Sequence, residues 1–513
     1  MPTPNGTGNG PVAKTLIEPA FASVNISAAP QSIPDGQAAQ LENLMPYAPG
    51  NLAVVPAPAP VTSVQLGGSF IIQRFWAFTF SGTLYFIVQA TDGAVFMMPY
   101  NGVSWTEIAT PGSTTPNGLH MARWQGVDAQ GKPDAVLWVD TSKGYGYITP
   151  TALTVIDAAL VGQCLAVYQG RVWIGSGNEI IVSAPDAYTD FDAADYATSF
   201  MVNDPTFNGA VVGLQVTQNW LYILGSGLMA LNNVQVQSVA GSSTLVTTYY
   251  LTAVSASIAI SNEQAAIVID NTLFISSNGA LWAFAGLNGE VVSDSMGDNF
   301  NGEQFVIAAT IFGRLCLVTS AGYAMMVREH RWFTMVGDAE TWNAYAWANG
   351  NLGVGSNATI MGFVWNTNLS GATSIDQIGA DTTGTIRNAV LTTKLYDCGN
   401  ASVNKQFIKI GCELWPNSLT TFELPSGGFG TTLQALGFNA VSETFDMLQW
   451  LVKPAAGFAP GNTYLPRSIN LVDRYIAMRV TLTLPAGISI GTVMTQFIDM
   501  TPWPDAANGL KKN

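Results

Sequence analysis

Four aspartates crowd into one short stretch, SAPDAYTDFDAADY (Ser183–Tyr196): Asp186, Asp190, Asp192 and Asp195. Folded inward, such a loop would offer hard oxygen ligands to a divalent cation, or a carboxylate pair for acid–base catalysis. Their spacing departs from the alternating Asp/Asn pattern closed by Gly of a calcium loop. The reading is therefore a solvated connector between repeated units. Histidine is nearly absent: His120 and His330 are the two in the chain, and neither belongs to a HExxH pattern or adjoins a nucleophile motif. Phosphate loops, dinucleotide fingerprints and CxxC pairs are missing as well, so no metal and no cofactor are expected. Cys164, Cys316, Cys398 and Cys412 are spaced unlike zinc ligands and read as buried thiols. Trp138, Trp173, Trp220, Trp282 and Trp332 could form a sugar-stacking platform, but they sit within alternating strand patterns, which favours packing in the core.

What must position these residues is a β-rich scaffold. The 513 residues are 48% apolar and only 10% charged, with 51 Gly, 14 Trp, 16 Tyr and 24 Phe. Such a composition favours strands and turns over amphipathic helices. The net charge of −15 argues against tight nucleic-acid binding, which needs clustered Lys and Arg to displace counterions. The densest basic cluster, VREHRW with Arg328 and Arg331, reads as an exposed strand end. No apolar run is long enough to span a membrane, and the first residues lack the pattern of a secretory signal.

One unit recurs. A turn Gly or Asn precedes a strand, then a second turn and strand follow, as in GRVWIGSGNEIIVS (Gly170–Ser183). The first anchors of seven copies are Gly82, Gly131, Gly170, Asn219, Asn271, Gly313 and Gly350, separated by 49, 39, 49, 52, 42 and 37 residues. That period matches β-propeller blades, whose alternate aromatic and β-branched residues pack against neighbouring blades. Trp138, Trp173, Tyr222 and Trp282 are the repeat's buried aromatics, and the anchors are expected to turn with positive φ. The expected fold is all-β: a propeller of six or seven blades over residues 61–385, with a string of β-sandwiches as the competitor. Asn101–Ile108, NGVSWTEI, resembles the aspartate-box turn of sialidase propellers without its Asp, and reads as a structural turn closed by Trp105.

The flanks do not repeat. Residues 1–60, rich in Pro, Gly and Ala, read as an extended arm, a platform or ring contact that needs a partner surface to become ordered. Residues 386–513 carry long alternating strands such as RYIAMRVTLTL, which suggest an antiparallel sandwich or platform domain.

Three stretches, Leu160–Asp192, Asn262–Met296 and Leu391–Leu414, resemble the tail nozzle, or packaged-DNA stabilisation, proteins of short-tailed bacteriophages. Ser183, Asp190 and Phe191 match one motif of that family; Asp397, Gly399 and Lys405 match another, with Cys398 standing between the Asp and the Gly. The resemblance implies a virion structural protein assembled in the host cytoplasm: a homohexameric ring without enzymatic activity below the portal and its adaptor ring. It further implies contact with a tail spike, fibre or tip protein, and a channel holding phage DNA without sequence-specific binding. An acidic lining, to which the four aspartates are candidates, would keep DNA mobile by repulsion. The rival readings are a carbohydrate-binding or carbohydrate-cleaving propeller, such as a tail spike or lectin, and a generic interaction propeller.

Overall fold

The computed structural model describes residues 13–296 apart from 19–20, 49–50, 55–58, 61–65, 67–71, 81, 91, 101, 110–118 and 239–244; it also describes all of 387–416 and parts of 306–335, 352–362, 431–446 and 463–500. The anchors Gly313 and Gly350, together with Arg328 and His330, lie outside the described residues.

The chain folds as a β-propeller followed by a two-sheet platform. Five four-stranded antiparallel sheets, each with its strands in chain order, form blades 1 to 5 over residues 72–109, 120–157, 164–201, 213–255 and 266–291. Blade 6, residues 306–335, has the same order. A short sheet follows, in which 352–354 and 360–362 pair with 59–60 from the N-terminal segment. Its strand 352–354 lies against blade 1, so the chain's own beginning helps to close the circle. First strands of successive blades are neighbours from blade 2 through blade 6, which puts them nearest the axis.

Burial follows from this geometry. A second strand is covered by blades on both sides, so Ala135–Asp140 (AVLWVD) is buried at every position and loses the alternation of a one-sided strand. A fourth strand lies at the rim, and Ala152–Asp157 is mostly exposed or half-buried. Apolar clusters join adjacent blades in turn. Ile87, Val95 and Met97 of blade 1 pack with Val136, Trp138 and Ile148 of blade 2, and further clusters join blades 2 to 3, 3 to 4 and 4 to 5. Trp138 and Trp173 are fully buried in these seams; Trp220 and Trp282 are half-buried against the blade 4–5 core. Trp105 packs on the core of blade 1.

Tyrosines latch the seams. Tyr145 of blade 2 donates its hydroxyl to Tyr188 O of blade 3 (2.7 Å), Tyr168 of blade 3 to Asn219 O of blade 4 (2.8 Å), and Tyr222 of blade 4 to Gly286 O of blade 5 (2.8 Å). Burial raises the pKa of all three hydroxyls, which keeps each one a donor.

The anchors mark the turns between first and second strands. Gly82, Gly131, Gly170 and Asn271 have positive φ, and Gln169–Gly170 and Asp270–Asn271 are two-residue hairpin turns with both residues left-handed. Asn219 differs: its φ is not positive, and its turn closes through Thr217 N to Trp220 O (2.9 Å). Close approach imposes another glycine. A Cβ on Gly146 would sit 1.9 Å from Thr154 O and 2.7 Å from the Trp138 ring. Gly146→Ala should therefore lower stability by about 1–3 kcal/mol, an overpacking cost, read as a lower denaturant midpoint.

The N-terminal segment finds its partner surface within its own chain. Residues 37–42 pair in parallel with 332–335 of blade 6 on one side and antiparallel with 387–393 on the other, joining propeller and platform into one ten-stranded sheet. Asn43 reinforces the junction: its N–H donates to Thr334 O (2.8 Å) and its side-chain amide to Asn388 O (2.7 Å). Trp332, fully buried, takes its place there through N to Ser23 Oγ (2.9 Å) and Nε1 to Val292 O (2.8 Å). The second platform sheet runs 463–473, 405–416, 488–499, 51–54, 44–48, with 14–18 also on 488–499. Cys164 and Cys412 are buried, whereas Cys398 is only half-buried; burial still pushes the Cys398 thiol up to about 12.

Candidate functional site at the propeller axis

The cluster with the strongest electrostatics uses residues from three blades. Arg74 lies on the first strand of blade 1, His120 opens the first strand of blade 2, and Glu263 sits in the 3-10 turn Glu263–Ala265 that leads into blade 5. Arg74 Nη1 donates to Glu263 Oε1 (2.5 Å) and His120 Nδ1 donates to Glu263 Oε2 (2.5 Å). Arg74 and His120 are buried, and the Glu263 side chain keeps 21% of its surface. One carboxylate thus ties blades 1 and 2 to blade 5 across the propeller.

Local packing explains the placement. Gln89, fully buried on the second strand of blade 1, accepts from Leu119 N through Oε1 (2.8 Å) and so fixes the entry of the strand that carries His120. A Cβ on Gly213 of blade 4 would lie 3.2 Å from Glu263 Cβ, so the side chain passes closely over that glycine. Cys164 of blade 3 is within reach of the same charge: burial raises its pKa well above the ordinary value, and Glu263 raises it further. The Nε2 atoms of His120 and Gln89 are buried without hydrogen-bond partners among the described residues.

Burial alone would push the Glu263 carboxyl upward. The charges of His120 and Arg74, with the hydrogen bonds they donate, outweigh it and hold the group at about 2 against an ordinary 4.5. A carboxylate in that state is anionic at any physiological pH, so it is a poor proton donor and a weak base. Both of its oxygens are occupied. The arrangement suits an internally neutralised pin between blades far better than a reacting group.

The four aspartates do not converge. Their loop lies within blade 3, between its third strand (179–182) and fourth strand (198–201), and is not the connector between blades that the sequence suggested. It reaches back to blade 2 because its polar groups match the 128–133 turn: Ala129 N donates to Asp186 O (2.6 Å), Gln130 Nε2 to Asp190 Oδ2 (3.1 Å), Thr189 Oγ1 to Gln130 Oε1 (2.6 Å) and Tyr188 Oη to Pro133 O (3.2 Å). Asp186 is left-handed (φ 51°), and its carboxylate oxygen lies 2.2 Å from where a Cβ of residue 170 would be, which with the positive φ of Gly170 favours glycine there. Asp190 Oδ1 accepts from Asp192 N (2.9 Å), Asp192 Oδ1 caps the short turn through Ala194 N (2.9 Å), and Asp195 is exposed. Among the described residues no group of three or more His, Cys, Asp or Glu side chains is placed to hold a metal ion. Asp192→Ala should cost about 1 kcal/mol, the loss of a cap, measured by denaturant unfolding.

Ser183 and Lys405, both from the motif stretches, are fully buried hydrogen-bonding hubs. Ser183 Oγ accepts from Val172 N (2.9 Å) and donates to Ala184 O (3.1 Å), while Arg171, missed in the sequence reading, donates to Ser183 O (2.7 Å) and Tyr196 O (2.8 Å). Arg74 and Glu263 were also missed. The available signal was isolation: Arg74 is a lone charge in the apolar run IIQRFWAF, and Glu263 is the first charge after residues 205–262, which contain no Asp, Glu, Lys, Arg or His.

No known protein family and no curated protein sequence matches the chain. Solved structures do resemble it. BBS1N, solved in complex with ARL6DN, is 10% identical over 60% of this chain and 96% of its own, with a TM-score of 0.35. An exo-β-1,3-galactanase from Phanerochaete chrysosporium is 9% identical over 86% of this chain and 100% of its own (TM-score 0.23). A family 43 arabinoxylan arabinofuranohydrolase from Bacillus subtilis is 10% identical over 84% and 96% (TM-score 0.23). Among the described residues no helix is long and apolar enough to cross a membrane.

Proposed function

We propose that this chain is a structural virion protein that forms a hexameric tail nozzle below a portal and its adaptor ring, holds packaged DNA and conducts it during ejection. The observation that carries the reading is how the fold uses its charge near the axis: Glu263, the acid best placed for chemistry, is committed to Arg74 and His120 as a pin between blades. The carboxylates of Asp190 and Asp192 are likewise committed to turn geometry. Rigidity suits a conduit, and the N-terminal segment adds to it by stitching blade 6 to the platform. Net charge −15 repels DNA on average, so a lumen formed by several copies would let it slide. The partners of this reading are the portal–adaptor ring above and a spike, fibre or tip protein below.

One feature favours a carbohydrate-binding propeller instead. Tyr250 is exposed on a blade 4 hairpin, beside a row of neutral amides from Asn233, Gln235 and Gln237. Aromatic faces and amides are groups that pack on and bond to sugars. Electron-microscopic class averages of the purified full chain separate the readings. Sixfold rings with an axial opening are expected for the nozzle; single propellers that bind neutral polysaccharide would replace it with the second reading.

A further inference from the structure

Blade 4 is the odd blade. Its third and fourth strands, Leu228–Ser238 and Leu245–Ser255, are eleven residues each, whereas its second strand, Leu221–Leu224, has four. The second strand pairs with 228–231, so 232–238 and 245–250 continue beyond the blade as a two-stranded ribbon, neither of whose edges pairs with a further strand among the described residues. Such ribbons are marginal in water unless a face is covered.

One face is covered by blade 3. Arg171 Nη2 donates to Thr247 Oγ1 (3.1 Å), Thr247 donates to Tyr196 O (2.8 Å), Val234 N donates to Gln169 Oε1 (3.0 Å), and the Tyr249 ring stacks 4.5 Å from Phe200. Strand alternation turns Val246, Thr248 and Tyr250 to the other face. Tyr250 is 62% exposed, and Val246 on the same face is exposed with it. The strand's amides satisfy one another: Gln235 Nε2 donates to Asn233 Oδ1 (2.6 Å) and Gln237 Nε2 to Gln235 Oε1 (2.6 Å). The strand carries no charge, proline or inward-pointing lysine of the kind that guards a free edge.

Charge identifies the occupant. Residues 205–262 are uncharged throughout in a chain of net charge −15. Two copies meeting through acid-bearing faces would appose like charges, which costs affinity and slows encounter. Blade 4 is a surface on which they can meet without that repulsion, and its open edge offers backbone donors and acceptors to a neighbour. We propose that the outer face and edge of this ribbon are where one copy of the chain binds a second copy. The inference rests on the ring reading and specifies its contact.

Sedimentation velocity and hydrogen exchange on the full chain test it, with Thr248→Lys and Tyr250→Lys as variants. The unmodified chain should sediment as an oligomer with the amides of 245–250 protected. Each lysine should weaken association by about tenfold or more, with the unfolding midpoint of the chain unchanged because both positions point away from blade 3. If both variants remain oligomeric and these amides exchange freely, the ribbon is not the contact, while the ring reading stands. If the unmodified chain is monomeric at every concentration, ring and contact fail together. A monomer that binds neutral polysaccharide through Tyr250 would overturn the proposal in favour of a glycan surface.

Discussion

Glu263→Gln should lower the stability of the chain at pH 7 by about 3–4 kcal/mol and flatten its loss of stability as pH falls from 4.5 towards 2. The magnitude follows from linkage: a carboxyl held at about 2 when folded and at its ordinary 4.5 when unfolded stabilises the fold by about 1.4 kcal/mol per pH unit of difference. The sign is fixed by the same comparison. Because the folded value is the lower one, the contribution is fully present above pH 4.5 and is lost as pH falls through that value towards 2. Denaturant melts at pH 7, 5, 4 and 3 should show the unmodified chain converging on the variant as pH falls. Asp195→Asn, at an exposed acid, should leave the pH profile as it was. Parallel profiles for Glu263→Gln and the unmodified chain would mean that Arg74 and His120 do not hold this carboxylate.

The second large effect lies in the platform. Lys405 is fully buried, and its ammonium donates to three backbone carbonyls: Asn400 O (2.5 Å), Val403 O (2.9 Å) and Arg474 O (3.1 Å). It opens the strand 405–416, which is paired on both sides, and the carbonyls it satisfies belong to the loops 397–404 and 473–475. Lys405→Met keeps the length of the side chain and leaves those carbonyls without their donor. The expected loss is about 2–4 kcal/mol, from buried acceptors left unpaired. Hydrogen exchange should place the added opening in 397–416 and 463–499, with blades 2 to 5 unchanged. An unaltered midpoint would show that the loop carbonyls find water or other donors.

The propeller was legible because its turns make local demands. Gly82, Gly131, Gly170 and Asn271 occupy left-handed turns whose requirement is met within a few residues, so the period survives in the sequence. Asn219 keeps the period although its turn needs no positive φ; its main-chain carbonyl, which any residue would supply, accepts the Tyr168 latch. The buried aromatics were legible for a related reason: Trp138, Trp173 and Tyr222 lie on second strands flanked by two blades, whose middle residues are apolar on both faces.

What was hidden depends on pairings distant in sequence. The segment 37–42 has no conspicuous pattern, yet its partners are 332–335 and 387–393; closure by 59–60 joins residues about 300 positions apart. Short strands of this kind are specified by the edges that wait for them. The axial triad is hidden for the same reason, because each member is a lone polar residue until the blades close. The aspartate loop was misplaced by one level of the hierarchy: its acidity suggested an exposed link between blades, whereas Asp190 and Asp192 shape a turn inside blade 3, where backbone N–H groups take their oxygens.

Whether this propeller is a ring-forming conduit of a virion can be decided by counting. Quantitative mass spectrometry of density-purified particles of a short-tailed phage encoding the chain would give its copy number relative to the portal protein. A hexamer beneath a twelvefold portal would give about half the portal number. Absence of the chain from the particle, or a trimeric count as in a spike, would contradict it.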